Sequence, residues 1–267
     1  MSFGVGDTSY EFMEITTKIG CPVNCLDYCP QEVTTSRYSG KRTLSIKDWE
    51  IMLNRIPKTL PLVFSGFCEP FANDKLVDLV DMAHKAGHPI SIFTTLYNAS
   101  RIDVEKLVKY QFLVFCLHLP DGKAMKIPLS QEYKDNVFTV LYNVRNVSFC
   151  IMNDRFKSLN RENITRGISI KPKRFRFCYK FDNPQFTLLP NGDVSLCCMD
   201  FGLSNILGNL LTENYVDVKR RFLARKRTTF KLCSQCSYNL SPLRALVDSV
   251  NRQNEKHFHL FQSSVRS

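Results

Sequence analysis

From residue 10 to residue 172 the chain alternates two kinds of segment. Short apolar runs rich in Ile, Val, Phe and Thr have the composition of strands buried on both faces: "YEFMEITTK", "LPLVFSG", "PISIFTT", "QFLVFCLHL", "VSFCIMN" and "ISIKP". Between them lie amphipathic stretches. "SIKDWEIMLNRI" opens on Ser45 with Asp48 three residues on, a helix-capping arrangement. "NDKLVDLVDMAHKAG" spaces its apolar residues by three and four and stops at Gly87. Six such strand–helix alternations predict βα units and a parallel sheet. Six units are too few to close an eight-stranded barrel, so the expected fold is α/β, an open, partial (β/α)6 barrel.

After residue 180 the rhythm changes. "FTLLPNGDVSLCC" predicts a hairpin turning at Asn191-Gly192, and "NYVDVKRRFLARK" predicts a basic helix. A boundary near residue 175 then separates the barrel, 1–175, from a small α+β domain, 176–267, that ends in a further helix.

A chain of 267 residues with 44% hydrophobic and 23% charged residues falls in the range of soluble globular proteins. It has no apolar run long enough to span a bilayer and no signal-peptide pattern, so a cytoplasmic protein without a membrane partner is expected. Charge is uneven. Residues 1–170 carry 20 Lys/Arg against 18 Asp/Glu, whereas 171–267 carry 16 against 7, most of the net +11. That basic third suits an anionic partner, although a solvated basic helix accounts for it equally well.

Eleven cysteines change the picture. In a reducing compartment clustered thiols indicate metal binding or catalysis rather than disulfides. Cys21, Cys25 and Cys29 follow the first strand, and loops in that position gather at the face of a βα array where active sites form. Three thiolates leave a tetrahedral zinc ion one ligand short, and leave one iron of a [4Fe–4S] cluster open to a small molecule. A second group comprises Cys178, Cys197, Cys233 and Cys236, with Cys198 adjacent. Four ligands saturate either a zinc ion or a cluster. Cys68, Cys116, Cys150 and Cys198 remain, and free cysteine is most often a small buried hydrophobe.

At these residues the sequence resembles the radical S-adenosylmethionine (SAM) enzymes. "CPVNCLDYC" is similar to their C-x3-C-x2-C motif and keeps the aromatic Tyr28 before the third cysteine, but its second gap is one residue longer. "FSGFCEP" resembles their "GGEP" element, with Gly66, Glu69 and Pro70 in place and Cys68 where the second glycine stands. Thr94 ends the third strand, Cys116 takes the serine position of a strand similar to "SLH", and Asn153 ends the fifth. The resemblance implies a TIM-like partial barrel in which Cys21, Cys25 and Cys29 hold a [4Fe–4S] cluster. Tyr28, Gly66, Glu69, Pro70, Thr94, Cys116 and Asn153 would then bind SAM, with Glu69 on its amino group. It implies reductive cleavage of SAM to a 5′-deoxyadenosyl radical, which takes a hydrogen atom from the substrate. The order of Cys178, Gly192, Cys197, Cys233 and Cys236 resembles the SPASM/twitch domains of the same superfamily, in the shortened form with one auxiliary [4Fe–4S] cluster.

The expected activity is oxidoreduction. The auxiliary cluster accepts an electron from an anionic small-molecule substrate, such as a phosphorylated sugar or nucleotide, and a flavodoxin or ferredoxin supplies the reductant. Peptide, protein or nucleic-acid modification is the alternative chemistry. A more distant alternative is a zinc-stabilised nucleic-acid-binding protein, because "KPKRFRFCYK" and "KRRFLARKRTTFK" interleave basic and aromatic residues.

Overall fold

The computed structural model describes residues 10–23, 25, 29–120, 122, 125, 127–152, 161, 171–172, 178–225 and 230–238. Five of the expected strands are present: β1 (Phe12–Ile15), β2 (Leu62–Phe64), β3 (Ile90–Thr94), β4 (Val114–Pro120) and β5 (Val147–Met152). The segment "ISIKP" falls largely outside the described residues. Helices α1 (Gln31–Arg37), α2 (Ile46–Leu53), α3 (Leu76–Lys85), α4 (Arg101–Leu107) and α5 (Gln131–Asn143) connect the strands. The C-terminal part contributes β6 (Gln185–Leu188), β7 (Asp193–Ser195), β8 (Ile206–Asn209), α6 (Tyr215–Leu223) and a single turn, α7 (Lys231–Ser234).

All eight strands form one sheet in the order β5-β4-β3-β2-β1-β6-β7-β8. The first five run parallel, β6 continues parallel to β1, and β7 pairs antiparallel with both β6 and β8. The sheet is therefore an unclosed α/β barrel extended by a hairpin. That hairpin turns where Asn191-Gly192 predicts. Gly192 has φ +87°, and a Cβ there would stand 2.5 Å from Asn209 Oδ1, so both the backbone and the space require glycine.

Local sequence accounts for the helix ends. Ser45 caps α2 by accepting the Asp48 amide at 3.1 Å, and Asp48 is itself held by Lys41 Nζ at 2.7 Å. After α3, the His88 amide donates to the Ala83 carbonyl and the Gly87 amide to that of His84, with Gly87 at φ +88°. This pair of bonds is a Schellman stop.

Strand alternation divides the sheet into two unlike faces. Met13, Leu62 and Ile90 align in register, as do Ile15, Phe64, Ile92 and Phe115, and all are buried against Trp49, Leu79, Val80 and Val104 of the helices. The opposite face carries Glu14, Thr16, Ser91, Cys116 and His118 among its apolar neighbours. Buried on both sides but polar on one, the strands leave a chemically equipped barrel interior.

The cap on α2 gives a direct test. Ser45→Ala should cost about 1 kcal/mol, seen as a Tm lower by about 2–4 °C in thermal unfolding. The Lys41 hydrogen bond holds the Asp48 carboxyl below the usual aspartate range, against the opposing effect of burial. Its stabilisation is thus fully present above the unfolded-state pKa and is lost as pH falls through the lower folded value. The Tm difference between the parent and Asp48→Asn should accordingly shrink in acid.

Candidate active site and a second cysteine cluster

The loop after β1 and the loop after β2 meet at the C-terminal end of the sheet. There Cys21, Cys25 and Cys29 line a cavity of about 140 Å³, together with Gly66, Glu69 and Thr95. The two loops are tied by one side chain. Gln31 Nε2 donates to Cys29 Sγ at 3.3 Å and to the Phe67 carbonyl at 2.5 Å, while its Oε1 accepts the Cys21 amide at 3.4 Å. The Glu69 amide donates to Cys21 Sγ at 3.3 Å. A hydrogen bond from Cys68 pulls the Cys21 thiol below its ordinary value, with burial opposing it. Burial pushes Cys29 up to about 11. Donors aimed at sulfur are what a thiolate ligand requires, and metal binding displaces the remaining protons. Tyr28 lies outside the described residues.

Gly66 is sterically compelled. Its φ is +69°, and a Cβ would lie 2.2 Å from Thr16 Oγ1, which accepts the Phe67 amide at 3.1 Å. Cys68, in contrast, has no left-handed backbone, so a side chain is tolerated where the related motif has glycine. Glu69 is buried, and both of its oxygens are engaged. Oε1 accepts from Thr94 Oγ1 and, at 3.3 Å, from the Phe71 amide, whereas Oε2 accepts from the amide and hydroxyl of Thr95, each at 2.7 Å. Burial raises its pKa and these four donors lower it, leaving a net upward shift. Pro70 opens a short 3-10 turn, and its carbonyl accepts from Thr17 Oγ1 at 3.0 Å.

Across the cavity stand Phe93, His118, Met125, Arg161 and Phe201. Arg161 lies 4.7 Å from the centroid of the Phe201 ring, and its Nη1 donates to the Cys198 carbonyl at 2.8 Å, leaving Nε buried without a partner. Cys116 is buried on the same sheet face two residues before His118, and it is His118 that reaches the cavity wall. Asn153 lies outside the described residues. His118, Gln31 and Arg161 were not singled out from sequence. Period-two alternation from Cys116 could have located His118, but nothing local marks the other two.

Cys178, Cys197, Cys233 and Cys236 line a second, tighter cavity of about 30 Å³. Apolar packing closes it: Phe181 stacks on Phe222 at 5.5 Å between centroids, and Phe222 on Phe230 at 5.9 Å. Burial raises the Cys197 thiol well above its ordinary value, and Cys236 to about 11. Cys198 does not line this cavity. Its Sγ accepts from Lys180 Nζ at 3.4 Å and hydrogen-bonds Glu14, a β1 carboxyl whose pKa burial raises against the pull of Lys180 and Arg161.

Residues 178–237, which contain all four of these cysteines, match the SPASM family, described as an iron-sulfur cluster-binding domain. The whole fold is similar to BtrN solved in complex with AdoMet and 2-DOIA: 16% identity over 85% of this chain and 92% of that one, TM-score 0.65. It is also similar to anSMEcpe with bound AdoMet, at 13% identity over 84% of this chain and 88% of that one, TM-score 0.54. Streptococcus suis SuiB bound to precursor peptide SuiA aligns at 12% identity over 86% of this chain and 70% of that one, TM-score 0.52. A comparison with curated protein sequences finds no significant match. In class, the fold is an unclosed α/β barrel similar to that of radical SAM enzymes. At its C-terminal end, residues 178–237 match the SPASM iron–sulfur cluster-binding domain. No helix among the described residues is long and apolar enough to cross a membrane.

A pair of glycine substitutions tests the geometry of the β2 loop. Gly20 has φ +93° and nothing within 4 Å of a built Cβ, so Gly20→Ala should cost only the backbone term, about 1 kcal/mol. Gly66→Ala adds the clash with Thr16 and should lower Tm clearly further under the same conditions.

Proposed function

We propose that this chain is a radical SAM oxidoreductase acting on an anionic small molecule. Cys21, Cys25 and Cys29 hold a [4Fe–4S] cluster with one open iron, and Cys178, Cys197, Cys233 and Cys236 hold an auxiliary [4Fe–4S] cluster. The observation that carries this reading is the contrast between the two thiol sets. Three thiols line a cavity of about 140 Å³ beside Glu69 and Thr95, and four line a tighter, mostly apolar one of about 30 Å³. The donor sets fit a substrate-accessible cluster and a saturated one respectively. When bound, the first cluster and SAM supply reductive cleavage of the sulfonium and hydrogen-atom abstraction, with an electron from a reductant such as flavodoxin or ferredoxin.

The chain's own residues orient and shield that chemistry. Gly66 allows the backbone to pass close to Thr16, and the Glu69 amide reaches Cys21 while its carboxylate is held at the end of β3 on the same cavity. Glu69 would take a ligand ammonium in exchange for one of its hydroxyl donors, Thr94 or Thr95, both of which can rotate away. Pro70 and Thr94 stand at the ends of their elements beside it, and the resemblance would add contacts to SAM from Tyr28, Cys116 and Asn153. Arg161 supplies positive charge at the far wall, in keeping with an anionic substrate and with the basic residues 171–267. The fold likeness to BtrN with a small molecule bound, over nearly the whole of that chain, favours a small-molecule substrate. A peptide is the second reading, supported by the likeness to SuiB with its precursor peptide, although SuiB has more chain beyond the shared fold.

Metal analysis of the anaerobically purified protein tests both clusters together. About eight irons with matching sulfide per chain are expected, and a chain that takes up no iron overturns the reading. Replacing Cys21, Cys25 or Cys29 by Ala should abolish 5′-deoxyadenosine release. Cys233→Ala with Cys236→Ala should stop product formation while leaving SAM cleavage measurable. Glu69→Gln removes a charged hydrogen bond worth about 1.5–3 kcal/mol and should weaken SAM binding about 10- to 100-fold by equilibrium titration.

A further inference from the structure

We propose that Cys116, His118 and Cys150 form a mononuclear Zn²⁺ site in the wall of the barrel cavity, distinct from both cluster-binding sets, with its fourth coordination position open to that cavity. The placement follows from the strand pairing. β4 and β5 run parallel with Cys116 opposite Ser148 and His118 opposite Cys150, and alternation turns all four side chains to the barrel interior. One sulfur from Cys116, one ring nitrogen from His118 and one sulfur from Cys150 lie within 4.8 Å of one another. Zn–S bonds of about 2.3 Å and Zn–N bonds of about 2.0–2.1 Å at tetrahedral angles put donor atoms roughly 3.5–3.8 Å apart. Closing the triad around one ion therefore takes only small side-chain adjustments.

The same compactness argues against a third iron–sulfur cluster, whose thiolate ligands must stand around a whole iron–sulfur body. Two thiolates and an imidazole are borderline-soft donors that suit zinc and are poor ligands for magnesium or calcium. The two sulfurs are neighbours across the β4–β5 pairing, and a metal displaces the protons that such thiols carry. The frame is rigid, because the ligands come from two paired strands and the Phe93 ring packs edge-on against His118 with centroids 6.0 Å apart.

Three protein ligands define an open, catalytic type of zinc site, whereas structural sites have four. Cys116 is buried on the interior face of the sheet, and His118 on the same face lines the cavity that also holds Cys29, Glu69 and Thr95. The vacant position thus faces the space in which a substrate would meet the first cluster. It fits an oxygen, nitrogen or sulfur donor of that substrate, most simply a hydroxyl, which zinc orients and acidifies. The metal site itself rests only on β4 and β5 and does not depend on the cluster assignments.

The experiment is zinc and iron analysis of the anaerobically purified full chain after dialysis against EDTA, joined to zinc K-edge X-ray absorption. About one zinc per chain is expected beside the iron, coordinated by two sulfur and two nitrogen or oxygen atoms. His118→Ala and Cys150→Ser should release that zinc and keep the iron. Cys21→Ala should keep the zinc, which separates this site from zinc misplaced in the cluster loop. A zinc-free wild type, a spectrum with four sulfur ligands, or a Cys116–Cys150 disulfide overturns the proposal, as does full zinc retention in His118→Ala or Cys150→Ser. If a variant fails to fold, anomalous diffraction at the zinc edge from wild-type crystals decides. A peak between the two sulfurs supports the site, and a peak absent there refutes it. Loss of iron with zinc retained would instead count against the cluster reading alone.

Discussion

The parallel pairing of β6 with β1 is the constraint on which the rest depends. Four residue pairs, from Phe12 with Gln185 to Ile15 with Leu188, join segments more than 170 residues apart into one sheet. The pairing places the C-terminal hairpin beside the strand that leads into the first cysteine loop. Both thiol sets consequently belong to one frame, and β1 carries Glu14 on the interior side between them, hydrogen-bonded to Cys198 next to Lys180. Ordering so distant a contact costs loop-closure entropy, which the apolar outer face offsets by burying Met13, Ile15, Phe186 and Leu188 almost completely.

The two faces of the sheet divide the labour. On the outer face an apolar layer packs on the helices and supplies stability without chemistry. Across the strand, at the alternate positions, the interior holds hydroxyls, thiols, an imidazole and a carboxyl. Ser91 and Thr187 keep buried hydroxyls without partners there, a cost that a domain selected for stability alone would avoid. Polar groups left in reserve inside a barrel are the expected mark of a cavity that receives ligands.

Within the site, rigidity comes from backbone more than from charge. Gly66 passes against Thr16, the Phe67 amide donates to the Thr16 hydroxyl, and Gln31 links the Phe67 carbonyl to both Cys21 and Cys29. Glu69 is held by four donors. The cysteine loop is therefore positioned by neighbours drawn from α1 and the β2 loop before any metal is considered, as preorganised ligand sites require.

Much of this was legible in sequence because it is local. The alternation of strand and helix, the Ser45 cap, the stop at Gly87 and the Asn191-Gly192 turn each depend on residues within a few positions of one another, where propensity and capping act. Cysteine spacing likewise marked two thiol groups, because metal ligation restricts residue type and distance along the chain. What only the tertiary structure decided is non-local. The capture of β1 by β6, the Gln31 tie across the loops, the arrival of Arg161 at the cavity and the meeting of Cys116 and His118 with Cys150 all join residues from different elements. Strand register sets such encounters, and register is fixed by how the whole sheet buries its apolar face, which no short stretch of sequence specifies.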